Sequence, residues 1–318
     1  MTSERTNEIL KKQHYALVGK HSGIQICRWT KKSLLGDGIC YKEQFYGIKS
    51  HRCCQMTPCF LCMNQCLHCW RAVELNLGEK LINCDDPKFI VDNCIEKQRK
   101  MLTGFGGNPR TCQNKFKDAQ NPSQFAISLS GEPTIYPKLP ELLLELRKRK
   151  ITSFLVTNGL LPNRLEELKK KRALPTQLYV SLNYPNEEIF RKITRNKSKE
   201  AWKKFMKTLS LMKNLKTRTV IRINLVRNLN MDDDLIREYA KLIKKASPMF
   251  VEIKGYMSVG YARQRLGYER MPTHQEIRIF SEKLAKLTKL NFLDEKIESR
   301  VVLLGKNKKD MKIKTSEI

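Results

Sequence analysis

Residues 53–70 read CCQMTPCFLCMNQCLHCW, and three cysteines inside them decide how the rest of the chain is read. Cys62, Cys66 and Cys69 form C-x3-C-x2-C, unlike the paired C-x2-C knuckles of zinc ribbons. One tight loop thus supplies three thiolates, one too few to close a cubane cluster. A 4Fe–4S cluster held by three thiolates leaves one iron without a protein ligand, and an open iron can bind a substrate. The competing reading is a zinc site completed by His68 or another cysteine.

Composition narrows the partners. The 318 residues carry 61 Lys plus Arg against 32 acids, a formal charge of +29. Such an excess favours a polyanion, with nucleic acid the first candidate. A solvated Lys/Glu-rich surface of a heat-adapted protein would explain many lysines but not the lack of balancing acids. No apolar stretch is long enough to span a membrane, and the N-terminus has no continuous apolar region of the secretory kind. Eleven cysteines in that context point to reduced thiols acting as metal ligands in a cytoplasm. No heptad or apolar stripe argues for a dimer, so a monomer is expected.

Working outward, residues 1–55 read as a cysteine-bearing extension, with a short helix expected over 9–18. Cys27, Cys40 and Cys53 follow at gaps of 12 residues each. The cations and aromatics between them suit either RNA contact or the packing of a metal-stapled subdomain. Beyond Gln55, strands and helices alternate. Asp86-Pro87 is an N-cap and N1 pair, and Cys94 falls on the apolar face of the helix it opens. Residues 103–123, rich in Gly and Pro, read as a long loop. Short apolar runs then end in polar or glycine-bearing tips: 125–129, 153–156, 178–180, 220–226 and 250–253. Runs this short, separated by amphipathic helices, indicate parallel strands buried on both faces. Thr273 and Glu276 form a capping box. Six βα-like units predict an α/β fold, a partial and open (β/α)6 barrel over 56–290. A C-terminal extension over 291–318 would hold a strand over 300–304 and a basic tail, mobile at its end. In α/β barrels ligands sit at the C-terminal strand ends, so the tips carrying Gly131, Glu132, Asn158, Ser181 and Asn183 should converge there with the cysteine loop at the rim.

The cysteine loop resembles the signature of the radical SAM superfamily, in which the open iron binds S-adenosylmethionine (SAM). His68 stands where that superfamily commonly has an aromatic residue. The resemblance implies that Gly131 and Glu132 belong to the motif holding the methionine amino group. Asn158, Ser181 and Asn183 would hydrogen-bond the ribose or carboxylate. A closer likeness runs from about Lys11 to about Lys289. The chain resembles the tRNA 4-demethylwyosine synthase family in its shorter archaeal form. The likeness rests on CRWTKKSLLGDGICYKEQFYGIKSHRC at 27–53, LSGEPTIYPKL at 129–139, VSLNYPNEEIFRKI at 180–193 and VEIKGYMSVGYARQRL at 251–266.

The family resemblance implies condensation of N1-methylguanosine at position 37 of tRNA(Phe) with pyruvate, two of whose carbons are added to form a tricyclic base. It implies two 4Fe–4S clusters, with Cys27, Cys40 and Cys53 matching the ligands of the second. An N-methyl C–H is too weak an acid for general-base removal near neutral pH, so a cofactor-derived radical is the practical route. Pyruvate would be held by an open iron of the second cluster or as a lysine Schiff base. Lys42 is the first candidate for that lysine and Lys49 the second. The long eukaryotic members carry a flavodoxin-like domain for which this chain has no room, so an external donor such as a ferredoxin or flavodoxin is expected. Two other readings compete: another radical SAM RNA-modifying enzyme with no role for pyruvate, and a zinc-stapled RNA-binding protein.

Overall fold

A computed structural model describes residues 4–75 and 78–318. The chain opens with α1 (Glu4–Lys12) and the hairpin strands β1 (Ala16–Val18) and β2 (Ser22–Gln25). Two short helices, α2 (Arg28–Leu34) and α3 (Tyr41–Tyr46), lead into β3 (Cys53–Thr57). After α4 (Pro87–Gly106) and α5 (Gln113–Ala119) come β4 (Gln124–Ile127), α6 (Leu139–Lys148), β5 (Thr152–Thr157), α7 (Pro162–Lys170) and β6 (Gln177–Ser181). Next are α8 (Glu187–Thr194), α9 (Ala201–Met212), β7 (Arg218–Leu225), α10 (Ile236–Ala246) and β8 (Phe250–Gly255). The chain finishes with α11 (Tyr261–Leu266), α12 (His274–Thr288), β9 (Asn291–Lys296) and β10 (Val301–Gly305).

All ten strands form one open sheet in the order β1-β2-β3-β4-β5-β6-β7-β8-β10-β9. The six central strands, β3 to β8, run parallel, five of them at the five apolar runs. Antiparallel pairs extend both edges: β2 on β3, and β10 on β8. The outer core packs helices on the sheet, with Leu142, Leu146, Phe205, Leu209 and Ile277 buried against strand residues such as Phe125, Leu155 and Ile253. The inner face is filled by α3, whose Phe45 and Tyr46 pack on Phe154, Tyr179 and Phe250. Asp86 caps α4 through the Lys88 and Phe89 amides, and Thr273 with Glu276 forms the capping box of α12.

Four expectations need correction. The helix expected over 9–18 ends at Lys12: His14 turns to φ 62°, the Tyr15 amide closes onto the Leu10 carbonyl, and Ala16–Val18 pairs with β2. The stretch 103–123 is not a loop. α4 continues through Gly104, where burial of Leu102 outweighs the glycine cost of about 1 kcal/mol, and α5 follows. β9 was not anticipated beside the strand now placed at Val301–Gly305. The basic tail is docked: Arg218, almost fully buried, donates to the Asp310 and Met311 carbonyls at 2.7 Å each and pairs with Glu317 at 3.2 Å. Among the described residues no helix is long and apolar enough to cross a membrane.

Candidate functional site

The loop after β3 is bound on several sides. Thr57 Oγ1 donates to the Cys59 and Ser130 carbonyls at 2.8 and 2.5 Å. The last carbonyls of α8, on Ile193 and Thr194, accept from the Leu67 and Gln65 amides, so a helix end that would otherwise be unsatisfied grips the loop. Arg265 of α11 donates to the Cys69 and Arg71 carbonyls at 2.8 and 2.6 Å. Within this frame Cys66 lies near Cys62 and Cys69. Burial pushes the Cys62 thiol up to about 12, with Glu132 and Cys69 adding to it. Cys66 is also raised, by burial and then by Cys62 and Cys69. His68 is half-buried; desolvation, then Arg265, lowers it to about 4. The His68 imidazole meets Asn183 Nδ2 at 3.1 Å through Nε2, while its Nδ1 has no partner among the described residues.

The strand tips converge on this loop. Gly131 adopts φ +64°, and a Cβ there would lie 2.1 Å from the Cys59 carbonyl oxygen, so only glycine lets the β4 tip touch the loop. The Glu132 amide donates to the Leu61 carbonyl at 2.7 Å. Its carboxylate is occupied by the chain itself: Oε1 accepts from the Thr134 amide, Thr134 Oγ1 and Thr157 Oγ1, and Oε2 accepts from the Asn158 amide. Glu132 therefore ties the β4 tip to the β5 tip. Asn158 Nδ2 reaches Met63 Sδ at 3.0 Å and Cys62 Sγ at 3.9 Å. Asn183 Oδ1 accepts from the Asn224 amide at 2.8 Å, so this residue links His68 to β7. Ser181 ends β6, half-buried.

The other three cysteines gather at a second place, inside the barrel. Cys27 and Cys40 are the N-cap residues of α2 and α3, and Cys53 begins β3. Burial, then Cys27, raises the Cys40 thiol to about 11, and the Cys53 thiol lies near 12 with Lys42 opposing the shift. Lys42 is buried, its Nζ 5.2 Å from the Phe154 ring and 5.3 Å from the Tyr179 ring. Burial and then Arg222 lower its pKa, against the pull of Cys40, Cys53 and Glu252. Lys49 is exposed, three residues after the end of α3.

Three residues of this inner pocket escaped sequence reasoning: Arg222, Glu252 and Lys254. Glu252 is fully buried and accepts from Arg222 Nη2 at 2.8 Å, Tyr46 OH at 2.6 Å and Tyr41 OH at 3.3 Å. Lys254 is lowered to about 8 by burial and then Arg222. The signal was available, since charges at alternate positions of otherwise apolar strands must point to one face.

Both thiol groups fit an iron–sulfur cluster chemically. Each brings three cysteines together, and burial raises the thiols of Cys62 and Cys66 in the first and of Cys40 and Cys53 in the second, protons a metal would displace. Among the described residues no three His, Cys, Asp or Glu side chains close on a single ion, and His68 Nδ1 is an orphaned polar atom beside the first group. A cavity of 560 Å³ opens elsewhere, lined by Thr134, Leu160, Arg164, Lys203, Lys204 and Lys207, and none of the predicted site residues lines it.

Known proteins resemble this chain in sequence and fold. The radical SAM superfamily matches residues 56–240, and the family described as wyosine base formation matches residues 245–306. The chain is 49% identical over 306 residues to the S-adenosyl-L-methionine-dependent tRNA 4-demethylwyosine synthase of Pyrococcus horikoshii, covering 95% of this chain and 89% of that protein. It is 37% identical to the Methanocaldococcus jannaschii synthase, covering 96% of each. A solved structure of TYW1 with a lysine–pyruvate adduct bound superposes with a TM-score of 0.87 at 36% identity, over 99% of both chains. A crystal structure of archaeal TYW1 gives a TM-score of 0.79 at 32% identity, again over 99% of both chains. The chain belongs to the tRNA 4-demethylwyosine synthase family and is a SAM-dependent radical enzyme.

Proposed function

We propose that this enzyme condenses N1-methylguanosine at position 37 of tRNA(Phe) with pyruvate to give 4-demethylwyosine. It would use one 4Fe–4S cluster on Cys62, Cys66 and Cys69 and a second on Cys27, Cys40 and Cys53. The observation that carries this reading is a buried lysine, Lys42, beside Cys40 and Cys53 of the second cysteine group. The lysine–pyruvate adduct of the related TYW1 supports it. Cys62, Cys66 and Cys69 would hold a cluster that supplies one-electron reductive cleavage of SAM to methionine and a 5′-deoxyadenosyl radical.

The chain's own residues do the rest. Gly131, Glu132 and Asn158 shape the strand tips that would receive SAM, with Ser181 and Asn183 at the next tip. Lys42 attacks the keto carbon of pyruvate as a free amine, releasing water and forming an imine. Burial and then Arg222 lower its pKa, which favours that amine. Lys49, exposed, is the less suited of the two lysines. In this division of labour residues 1–55 bring the second cluster's ligands, 56–290 the radical SAM barrel, and 291–318 a seal on α3. The charge of +29 suits a tRNA partner. A ferredoxin or flavodoxin would deliver the electron to a monomeric enzyme.

Iron, sulfide and zinc content after anaerobic reconstitution tests the reading, beside a Cys27→Ala, Cys40→Ala, Cys53→Ala variant. About eight irons falling to about four is expected for two cubanes. About four in both would leave a one-cluster radical SAM enzyme, and zinc with little iron would reject the iron–sulfur assignment.

A further inference from the structure

Phe250, Glu252 and Lys254 alternate along β8 and share its inner face. Phe250 packs in the inner core and Glu252 meets Tyr46 from α3, so Lys254 enters the same pocket as Lys42. Both lysines have Arg222, Cys40 and Glu252 as charged neighbours, and Lys254 Nζ lies 5.7 Å from the Tyr41 ring. The pocket thus holds three cations and one carboxylate, and the cations differ in how they are engaged. Arg222 is committed to Glu252 through Nε at 3.0 Å and Nη2 at 2.8 Å. Glu252, already holding Arg222 and two tyrosine hydroxyls, is not a counter-ion for Lys254. Among the described residues Lys254 has no carboxylate partner. Its one hydrogen bond goes to the Ser299 carbonyl, at 2.6 Å, which leaves two N–H donors unused.

We propose that Lys254 binds the carboxylate of the 2-oxo acid whose keto carbon is presented to Lys42. The assignment rests on the Lys42 reading and adds what that reading lacks, a counter-ion for a monoanionic substrate. Arg222 is engaged by Glu252, and the two N–H donors that Lys254 leaves unused match the two oxygens of one carboxylate. The aromatic walls Tyr41, Phe154 and Tyr179 restrict the acid to a short chain. Lys254 is therefore a specificity-determining residue, separating 2-oxo acids from simple carbonyl compounds.

The test is reductive trapping on the reconstituted holoprotein. Cyanoborohydride converts the imine to a stable amine, and peptide mapping counts the adduct on Lys42 as pyruvate is raised. Acetaldehyde, a carbonyl compound without a carboxylate, is trapped in parallel. Lys254→Gln should raise the half-saturating pyruvate about tenfold or more, the worth of one charged hydrogen bond. The same variant should leave acetaldehyde trapping unchanged, and Lys254→Arg should restore pyruvate to within about threefold of wild type. Equal pyruvate dependence in wild type and Lys254→Gln would overturn the assignment alone. So would a parallel fall of pyruvate and acetaldehyde trapping, which marks a structural role. No pyruvate adduct on Lys42 of the wild type would overturn the Lys42 reading and this assignment with it.

Discussion

Arg222 and Glu252 stand in register on the neighbouring parallel strands β7 and β8, and their side chains meet inside the barrel at 2.8 Å. The Arg222 guanidinium also lies 4.4 Å from the Tyr179 ring, the ring that borders Lys42. Burying two charges is costly, and removing one partner of such a pair strands the other. Glu252→Ala should therefore destabilise the protein by about 3–5 kcal/mol. Glu252→Gln, which keeps one oxygen acceptor and the side-chain volume, should cost less. Urea midpoints of the metal-free proteins measure this. A loss below about 1 kcal/mol for Glu252→Ala would contradict the buried pair.

Gly131 governs the junction between the β4 tip and the cysteine loop. Gly131→Ala must place a Cβ against the Cys59 carbonyl at 2.1 Å in a left-handed conformation, which by itself costs about 1–2 kcal/mol. The loop must move away from Glu132, and SAM affinity should fall about tenfold or more. Equilibrium SAM binding to reconstituted protein checks this, with circular dichroism as the folding control. Affinity within about twofold of wild type would show that the junction does not shape the SAM site.

Arg218 pins the C-terminal segment, and that segment in turn seals α3. The Ile313 amide donates to the Tyr46 carbonyl at 3.1 Å, and Lys312 donates to the Gln44 carbonyl. Arg218→Met strands two carbonyls and Glu317, and should cost about 2–3 kcal/mol. Limited proteolysis should then cut within residues 308–318 faster than in wild type. Unchanged cleavage would mean that the tail is held by other contacts.

Glu276 gives the fold a pH-dependent contribution. Its hydrogen bond with Arg227, followed by those with Thr273, holds the carboxyl near 2, below its ordinary 4.5. A carboxylate depressed in the folded state stabilises above the unfolded value, and loses that contribution as pH falls from about 4.5 toward 2. The pair is about one-third exposed, so Glu276→Gln should cost only a few tenths to about 1 kcal/mol at neutral pH. The gap between variant and wild type should narrow in urea titrations as pH drops from 6 to 3. A gap independent of pH would remove the carboxylate from the effect.

Much of the barrel was legible because its strands are short, apolar and tipped with polar residues, a pattern that solvent-facing strands do not produce. The caps at Asp86 and Thr273 were legible because capping is local chemistry. What escaped depends on partners distant in sequence. Ala16–Val18 has too few residues to show a period and becomes a strand only against β2. β9 buries a single side chain, Leu293, so no alternation marks it. Gly104 and Gly106 read as loop residues until α4 is seen to be packed around Leu102. The first three-cysteine group is contiguous and can be read directly. The inner pocket is assembled from α3, β7 and β8, and its Arg222, Glu252 and Lys254 become a group only once the strands are in register. Glu132 shows the same limit: a carboxylate at a strand tip suggests a ligand contact, yet four donors from its own chain surround it.

The central claim is that the carbons of the new ring come from pyruvate, and it is tested by supplying pyruvate labelled at its two non-carboxyl carbons. Reconstituted enzyme, SAM, a reductant and tRNA(Phe) bearing N1-methylguanosine at position 37 complete the assay, read by mass spectrometry of the digested nucleosides. The account predicts a tricyclic base carrying both labelled carbons, absent when Lys42 is replaced by Arg. SAM cleavage and a modified guanosine without label would contradict it and leave a radical enzyme of a different reaction.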